Sequence, residues 1–186
     1  RKKFLKLSNI GYQPISSIFL KNKKKIKNYS LDLFECKSCD LVQLSKIANL
    51  KDMYGPDYGY KTSVSKLMVN HLKEKFIRLK KLNIFKKNSN ILDIGSNDGT
   101  FLNFFVNKKN NLNLYGIDPS ASAFLDSYNK KIKIIIDFFN QKTVKKFFVN
   151  EKNIKFSLIT SFAMFYDVED PNSFSKNITN ILDKNG

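Results

Sequence analysis

An α/β fold with a parallel sheet covered by helices on both faces is predicted by three observations. From Ile91 onward, short apolar segments rich in β-branched residues alternate four times with amphipathic stretches, the pattern that parallel strands joined through helices produce. The segments beginning at Ile91, Leu114 and Ile132 each run into Asp, with Gly in the first loop, as loops facing a ligand beyond the carboxyl ends of strands would be. Before residue 61 there is no such alternation. Residues 1–60 therefore read as a small β-rich module, and 61–186 as the first four β-α units of a larger domain.

The elements follow in order. Gly11-Tyr12-Gln13-Pro14 and Tyr54-Gly55-Pro56-Asp57-Tyr58-Gly59 are turn-rich, and Leu31 to Leu44 carries short apolar alternations interrupted by two cysteines. Val64, Leu67, Met68, His71, Leu72, Phe76, Leu79 and Leu82 recur at helical spacing, predicting a helix over 62–82 capped by Thr62 or Ser63. On that stripe His71 reads as a packed histidine. Strands are expected at 91–94, 114–117, 132–136 and 156–160, and helices at 100–106, 121–128 and 142–149. Asp170-Pro171 supplies an N-cap and a first-turn proline for a last helix that buries Phe174, Ile178 and Ile181. Asp183-Lys184-Asn185-Gly186 is a turn signal that delivers a chain into a further strand, and the chain does not begin with Met. Both ends are expected to be cut.

At 186 residues, 42% hydrophobic and 13% aromatic, the chain has material for a real core and is not a disordered tail. No apolar run approaches the roughly 20 residues of a membrane span, and the start is not a signal peptide; no membrane partner is expected, and cytoplasm is the expected compartment. The net charge of +17 would ordinarily suggest nucleic acid. Here the cations are nearly all Lys scattered among Asn and Ile, with no Arg cluster for bidentate contacts and no basic-aromatic alternation for base stacking. Nucleic acid is not the expected partner.

The loop after the first strand is Asp93-Ile94-Gly95-Ser96-Asn97-Asp98-Gly99-Thr100. Gly95 suits a tight turn open to a ligand, and Gly99 lets the next helix start close to the strand. The dinucleotide fingerprint needs glycine where Asn97 stands, and Asp98 lies where a pyrophosphate would seat. Asp93 and Asp98 together would repel phosphate and favour a cationic ligand, such as S-adenosylmethionine with its sulfonium and ammonium. After the second strand, Asp118, followed by Pro119, is placed to accept both ribose hydroxyls. After the third, Asp137 is placed to accept from an adenine amino group, with Phe138 against the ring. The plain alternatives are that Asp118-Pro119 starts a helix and that Asp137 is an N-cap. Cys36-x-x-Cys39 has the spacing of one side of a tetrahedral zinc site; two cysteines this close are equally a plain thiol pair, and a disulfide is disfavoured in the cytoplasm.

Ile91-Leu92-Asp93-Ile94-Gly95-Ser96-Asn97-Asp98-Gly99-Thr100-Phe101 resembles the cofactor loop of class I S-adenosylmethionine-dependent methyltransferases, whose sheet is Rossmann-like. Its Gly-Ser-Asn-Asp-Gly form is similar to that of the deoxysugar C-methyltransferases, which act on nucleotide-linked keto sugars. Leu41-Val42-Gln43-Leu44 after the cysteine pair resembles that family's N-terminal zinc module, and Gly11-Tyr12-Gln13-Pro14-Ile15-Ser16 resembles the stretch between its two cysteine pairs. Tyr58-Gly59-Tyr60-Lys61-Thr62-Ser63 through His71 resembles its linker and first helix. The resemblance implies S-adenosylmethionine as cofactor, a nucleotide-linked sugar as small-molecule substrate, and structural zinc on Cys36 and Cys39 with a further cysteine pair upstream of Arg1.

Transfer to carbon requires removal of a proton alpha to a ketone. The group for this belongs after the fourth strand, where the family commonly has Glu-His and this chain has Tyr166-Asp167. Either Asp167 is the base with Tyr166 orienting it, or the acceptor is an oxygen or nitrogen; the plainer alternative makes Tyr166 a wall residue and Asp167 a loop acid. Tyr58 and Tyr60 are candidates to reach the acceptor from the linker. Two rival classes stand beside this reading: an NAD(P)-dependent oxidoreductase, and a non-catalytic zinc-module scaffold or nucleic-acid binder.

Overall fold

The computed structural model describes residues 3–16, 18–20, 22–82, 84–106, 111–150 and 153–186. The chain forms two compact units, Arg1–Tyr60 and Lys61–Gly186. No helix among the described residues is long and apolar enough to cross a membrane.

The first unit is a three-stranded antiparallel sheet in the order β1-β2-β3, with β1 Phe4–Pro14, β2 Asn28–Cys36 and β3 Val42–Leu44. Gly11-Tyr12-Gln13-Pro14, expected as a turn, lies inside β1. The pairing with β2 shifts between Asn9 and Tyr12, and Gly11 takes φ +79° there with its amide on Asn9 Oδ1 at 2.6 Å. A bulge consumed the turn signal: one residue is looped out of the ladder while the strand continues. Pro14 ends the strand, where a missing donor costs least. Among the described residues of this unit, Cys36 is the one buried hydrophobic side chain. Polar contacts make up part of the deficit, such as Lys6 with Asp32 at 2.8 Å, and Asp52 taking both Lys27 at 2.9 Å and the Tyr29 hydroxyl at 2.5 Å. A short helix, α1 Leu50–Met53, is capped by Asn49.

In the second unit the predicted 62–82 helix begins later. Thr62–Val64 is a 3-10 turn, Ser65 accepts from the Met68 amide as N-cap, and α2 spans Lys66–Lys81. The cause is tertiary: Thr62 and Ser63 give their hydrogen bonds to Asn97 and Asp98 instead of capping a helix. The stripe is also narrower than expected. Leu72 and Phe76 are buried and Met68 and Leu79 pack beside them, whereas Val64, Leu67, Leu82 and His71 are exposed.

The strands β4 Asn90–Ile94, β5 Asn113–Ile117, β6 Ile132–Ile135 and β7 Leu158–Ser161 form one parallel sheet in the order β6-β5-β4-β7. β5 and β6 build outward on one side of β4, and the chain then crosses to place β7 on the other. The order reverses at β4 and β7, which makes their carboxyl ends the crevice. Side chains alternate between two cores. Ile91, Leu114 and Ile132 pack with Leu72, Phe76, Phe101 and Phe105, while Leu92, Ile94, Tyr115 and Ile117 pack with Val144, Phe148, Phe174 and Ile181. Helices therefore cover both faces.

Other helices are shorter than the periodicity suggested. α3 is Thr100–Asn103, and the expected 121–128 helix is two 3-10 turns, Ala121–Ala123 and Leu125–Ser127. Tyr128 then leaves in extended conformation, which carries its hydroxyl to the loop after β4. α4 Gln141–Val144 widens into a π-helical stretch, Lys145–Asn150. The strand expected from 156 starts at Leu158, because Phe156 instead bridges to Leu182. α5 Pro171–Ile181 has the expected cap, Asp170 accepting from the Ser173 amide at 3.0 Å, and buries Phe174 and Ile181.

Candidate active site at the carboxyl ends of the strands

The loop from Gly95 to Gly99 joins β4 to α3 and is set by three left-handed residues, Gly95 (φ +73°), Asn97 (φ +49°) and Gly99 (φ +75°). A Cβ on Gly99 would lie 2.5 Å from the Tyr128 ring, so this glycine serves both the backbone angle and the ring's close approach. The Gly95 amide extends the ladder by donating to the Ile117 carbonyl at 2.8 Å. Gly116 leaves the space that Ser96 Oγ fills, since a Cβ there would stand 2.7 Å from it.

The polar side chains of this loop are engaged within the protein. Asn97 donates its amide to Asp118 Oδ2 at 2.9 Å. Its side-chain oxygen accepts from both the amide and the hydroxyl of Thr62, at 2.9 and 3.0 Å. Asp98, 1% exposed, accepts from the Thr100 amide and hydroxyl at 3.1 and 2.6 Å and from the Ser63 amide at 2.9 Å. Tyr128 donates to the Asn97 carbonyl at 2.7 Å, which leaves its oxygen to accept from Ser96 Oγ at 2.9 Å. Burial, first among the causes, pushes the Tyr128 phenol well above its ordinary value, so it stays a donor.

Three carboxylates sit in or beside this loop: Asp93, Asp98 and Asp118 are all buried. Among the described residues none of them pairs with a Lys or Arg. Asp118 accepts from the Ser120 amide and hydroxyl at 2.7 and 2.6 Å through Oδ1 and from Asn97 through Oδ2. A carboxylate has about four lone-pair sites; among the described residues three are used, and one on Oδ2 remains. Asp93 accepts from the Thr160 hydroxyl of β7 at 2.7 Å, across the reversal point. Burial pushes its carboxyl up to about 7; the Thr160 hydroxyl pulls the other way, and the charge of Asp118 adds to the rise.

The remaining residues are spread more widely. Pro119 is half-buried behind Asp118. Asp137 is exposed beyond β6, with the Phe138 amide on Oδ1 at 2.7 Å and the Thr143 hydroxyl on Oδ2 at 3.2 Å, and Phe138 is half-buried. Tyr166 and Asp167 are exposed on a 3-10 turn, Phe165–Asp167, after β7. Met164 at the head of that turn reaches back to the loop, 3.1 Å from where a Gly95 Cβ would be. Tyr58 belongs to the first unit, where its ring lies 5.3 Å from Tyr54 and 6.5 Å from Tyr60.

Spacing alone did not reveal Thr62, Ser63, Ser120, Tyr128 and Thr160 as the partners of these groups. Only Ser120 carried a local signal, a hydroxyl two residues after an Asp, which is the geometry of an Asx-turn. The others come from distant segments.

The cysteines lie at the end of β2. Cys36 is buried and Cys39 exposed, both as free thiols. The turn folds back on Cys36, whose carbonyl accepts from Cys39 at 3.3 Å and Asp40 at 2.8 Å. The Ser38 amide, and then the Cys39 thiol, hold the Cys36 thiol below its ordinary value. Two sulfurs are half of a tetrahedral zinc set. Among the described residues no cluster of three His, Cys, Asp or Glu completes one, so zinc as read from the sequence is not supported here.

Residues 68–186, more than half of the chain, match the family model described as a methyltransferase domain. A ribosomal RNA small subunit methyltransferase A of Phytoplasma australiense is 33% identical over 97 residues, covering 47% of this chain and 34% of that protein. Two crystal structures of the plantazolicin methyltransferase BpumL, each with a desmethylplantazolicin analogue and S-adenosylhomocysteine, are similar in fold. The triazolic complex matches with a TM-score of 0.50 at 22% identity over 65% of this chain and 45% of that one. The pentazolic complex gives 0.47 at 24% identity over 61% and 42%. The chain thus spans about a third of the length of the curated relative and under half of the solved ones. A parallel sheet in the order β6-β5-β4-β7 with this loop after its first strand, together with the family match, places the chain in the methyltransferase-domain family.

Proposed function

We propose that the protein is an S-adenosylmethionine-dependent methyltransferase that holds its cofactor over the carboxyl ends of β4, β5 and β6. The observation that carries this is the trio of buried acids, Asp93, Asp98 and Asp118, around a loop with no paired cation among the described residues. Such a site repels the pyrophosphate of a dinucleotide, which seats on uncommitted amides at a helix start. At this helix start the Thr100 amide is already taken by Asp98. A ligand with sulfonium and ammonium charges and no phosphate fits. The residues fit it further through Asp118, whose free lone pair on Oδ2 is available to a ribose hydroxyl, and through Gly95, which carries no side chain at the crevice.

Bound S-adenosylmethionine supplies an electrophilic methyl group on sulfur, transferred by in-line displacement. In this proposal Asp118 holds the ribose, Pro119 backs it, Asp137 and Phe138 face the adenine, and Gly95, Ser96, Asn97, Asp98 and Gly99 shape the floor. Asp93 takes no ribose contact; its ionisation responds to a cationic ligand nearby. Asp167, exposed after β7 with Tyr166 beside it, takes a proton from the acceptor.

The acceptor we propose is a nucleotide-linked keto-deoxysugar methylated on carbon, on the strength of the loop, linker and cysteine-module resemblances. Tyr166-Asp167 in place of Glu-His favours an oxygen or nitrogen acceptor as the second reading. The relatives named above act, by their names, on ribosomal RNA and on plantazolicin. Zinc enters it only with two ligands from beyond Cys36 and Cys39, and a cytoplasmic setting in which both thiols stay reduced completes it. Competition between S-adenosylhomocysteine and NADH for the protein tests the cofactor class. Displacement of bound S-adenosylhomocysteine by NADH at comparable concentration would reverse the assignment.

A further inference from the structure

The second unit opens with a segment that the proposed chemistry has not used. Thr62 is 8% exposed and spends both of its donors on one atom, Asn97 Oδ1. The next amide, of Ser63, goes to Asp98 Oδ2. Lys61 places its ammonium 5.9 Å from the centre of the Phe124 ring, on the segment after Asp118. Three consecutive residues are thus docked on the site side of this unit, and the docking displaces the start of α2 to Lys66.

What the segment holds is the loop's least favourable residue. Asn97 keeps φ +49°, a conformation that costs an L-residue energy unless its surroundings hold it, although asparagine tolerates it better than most. In that conformation the Asn97 amide points at Asp118 Oδ2 and its carbonyl receives Tyr128. A chain of hydrogen bonds therefore runs from Thr62 through the Asn97 side chain and backbone to the Asp118 carboxylate. We propose that the Thr62–Ser63 turn is a latch on the cofactor loop: Thr62 is a positioning residue that holds Asn97 in its left-handed conformation and so orients Asp118 for its ligand. The inference rests on the cofactor reading for the ligand's identity, not for the latch itself.

Linkage makes the latch testable from both sides. A ligand that binds the latched loop better than the open one must strengthen the latch by the same factor. Backbone hydrogen exchange is measured on the full 186-residue chain, with and without S-adenosylhomocysteine, in the parent protein, Thr62→Val and Thr62→Ser. Calorimetry gives the S-adenosylhomocysteine affinity of each. Valine keeps the shape and removes one donor; serine restores it. Thr62→Val should speed exchange at the Asn97 and Ser63 amides and weaken S-adenosylhomocysteine by up to about tenfold, the size expected for one buried hydrogen bond. Thr62→Ser should return both to parent values, a rescue that loss of packing would not give. In the parent protein, S-adenosylhomocysteine should slow exchange at the Ser63 amide. Should Thr62→Val not fold, Asn97→Gly removes the same acceptor while favouring the same backbone angle, and should free the Ser63 segment. Unchanged exchange in the variants overturns the latch. If the parent protein binds no S-adenosylhomocysteine, the cofactor reading fails, and exchange without ligand still decides the latch.

Discussion

Asp93→Asn should stabilise the protein at alkaline pH and leave it unchanged in acid. Asp93 is 3% exposed, accepts one hydrogen bond from Thr160, and pairs with no Lys or Arg among the described residues. Asparagine keeps an oxygen for Thr160 and carries no charge. Burial raises the carboxyl from 3.8 to about 7 in the folded protein, so between those values the folded state binds more protons than the unfolded one. Stability contributed by protonated Asp93 is then fully present below about 3.8, falls as pH rises, and is gone above about 7. The interval corresponds to about 4 kcal/mol, at 1.36 kcal/mol for each tenfold change in proton affinity. Urea unfolding of parent and variant from pH 4 to pH 8.5 gives the difference directly, with other acids cancelling. The difference should be near zero at pH 4 and grow toward about 4 kcal/mol at pH 8. A difference independent of pH, or a variant less stable at pH 8, would refute the reasoning, because it would mean that the ionised carboxylate is well compensated where it lies.

Further expectations concern the loop, the base and the metal. Gly99→Ala should cost about 2–4 kcal/mol, combining the left-handed backbone with the 2.5 Å approach to Tyr128; urea unfolding checks it, and a cost below 1 kcal/mol would contradict the packing described. Asp167→Asn should leave S-adenosylhomocysteine binding intact while slowing methyl transfer, and equal turnover with the true acceptor would remove Asp167 as the base. Metal analysis of the protein purified at its natural length should find about one zinc per chain, lost on Cys36→Ser. A folded, metal-free product would end the zinc proposal.

Elements whose signal is local were legible in the sequence. β4, β5 and α5 fall within a residue of expectation because Ile91 to Ile94 and Leu114 to Ile117 are short apolar runs and Asp170-Pro171 marks a helix start chemically. Failures came where a distant group took over. Thr62 looked like a cap and is held by Asn97 instead; Tyr128 looked like a helix end and is pulled extended by Asn97 and Ser96. At the site, the residue types were readable and their partners were not. Asp93 and Asp98 looked like groups aimed at a ligand, yet their hydrogen bonds run to Thr160, Thr100 and Ser63. Periodicity reports which side chains face a core, and it carries no information about which loop a hydroxyl will reach.

The central claim, a pocket for S-adenosylmethionine built on Asp118 and the Gly95–Gly99 loop, is tested most directly by calorimetric titration of S-adenosylhomocysteine into the parent protein and Asp118→Ala. The account predicts micromolar binding by the parent and a loss on the order of 1–3 kcal/mol in the variant. No binding by folded parent protein, or equal binding by Asp118→Ala, would contradict it.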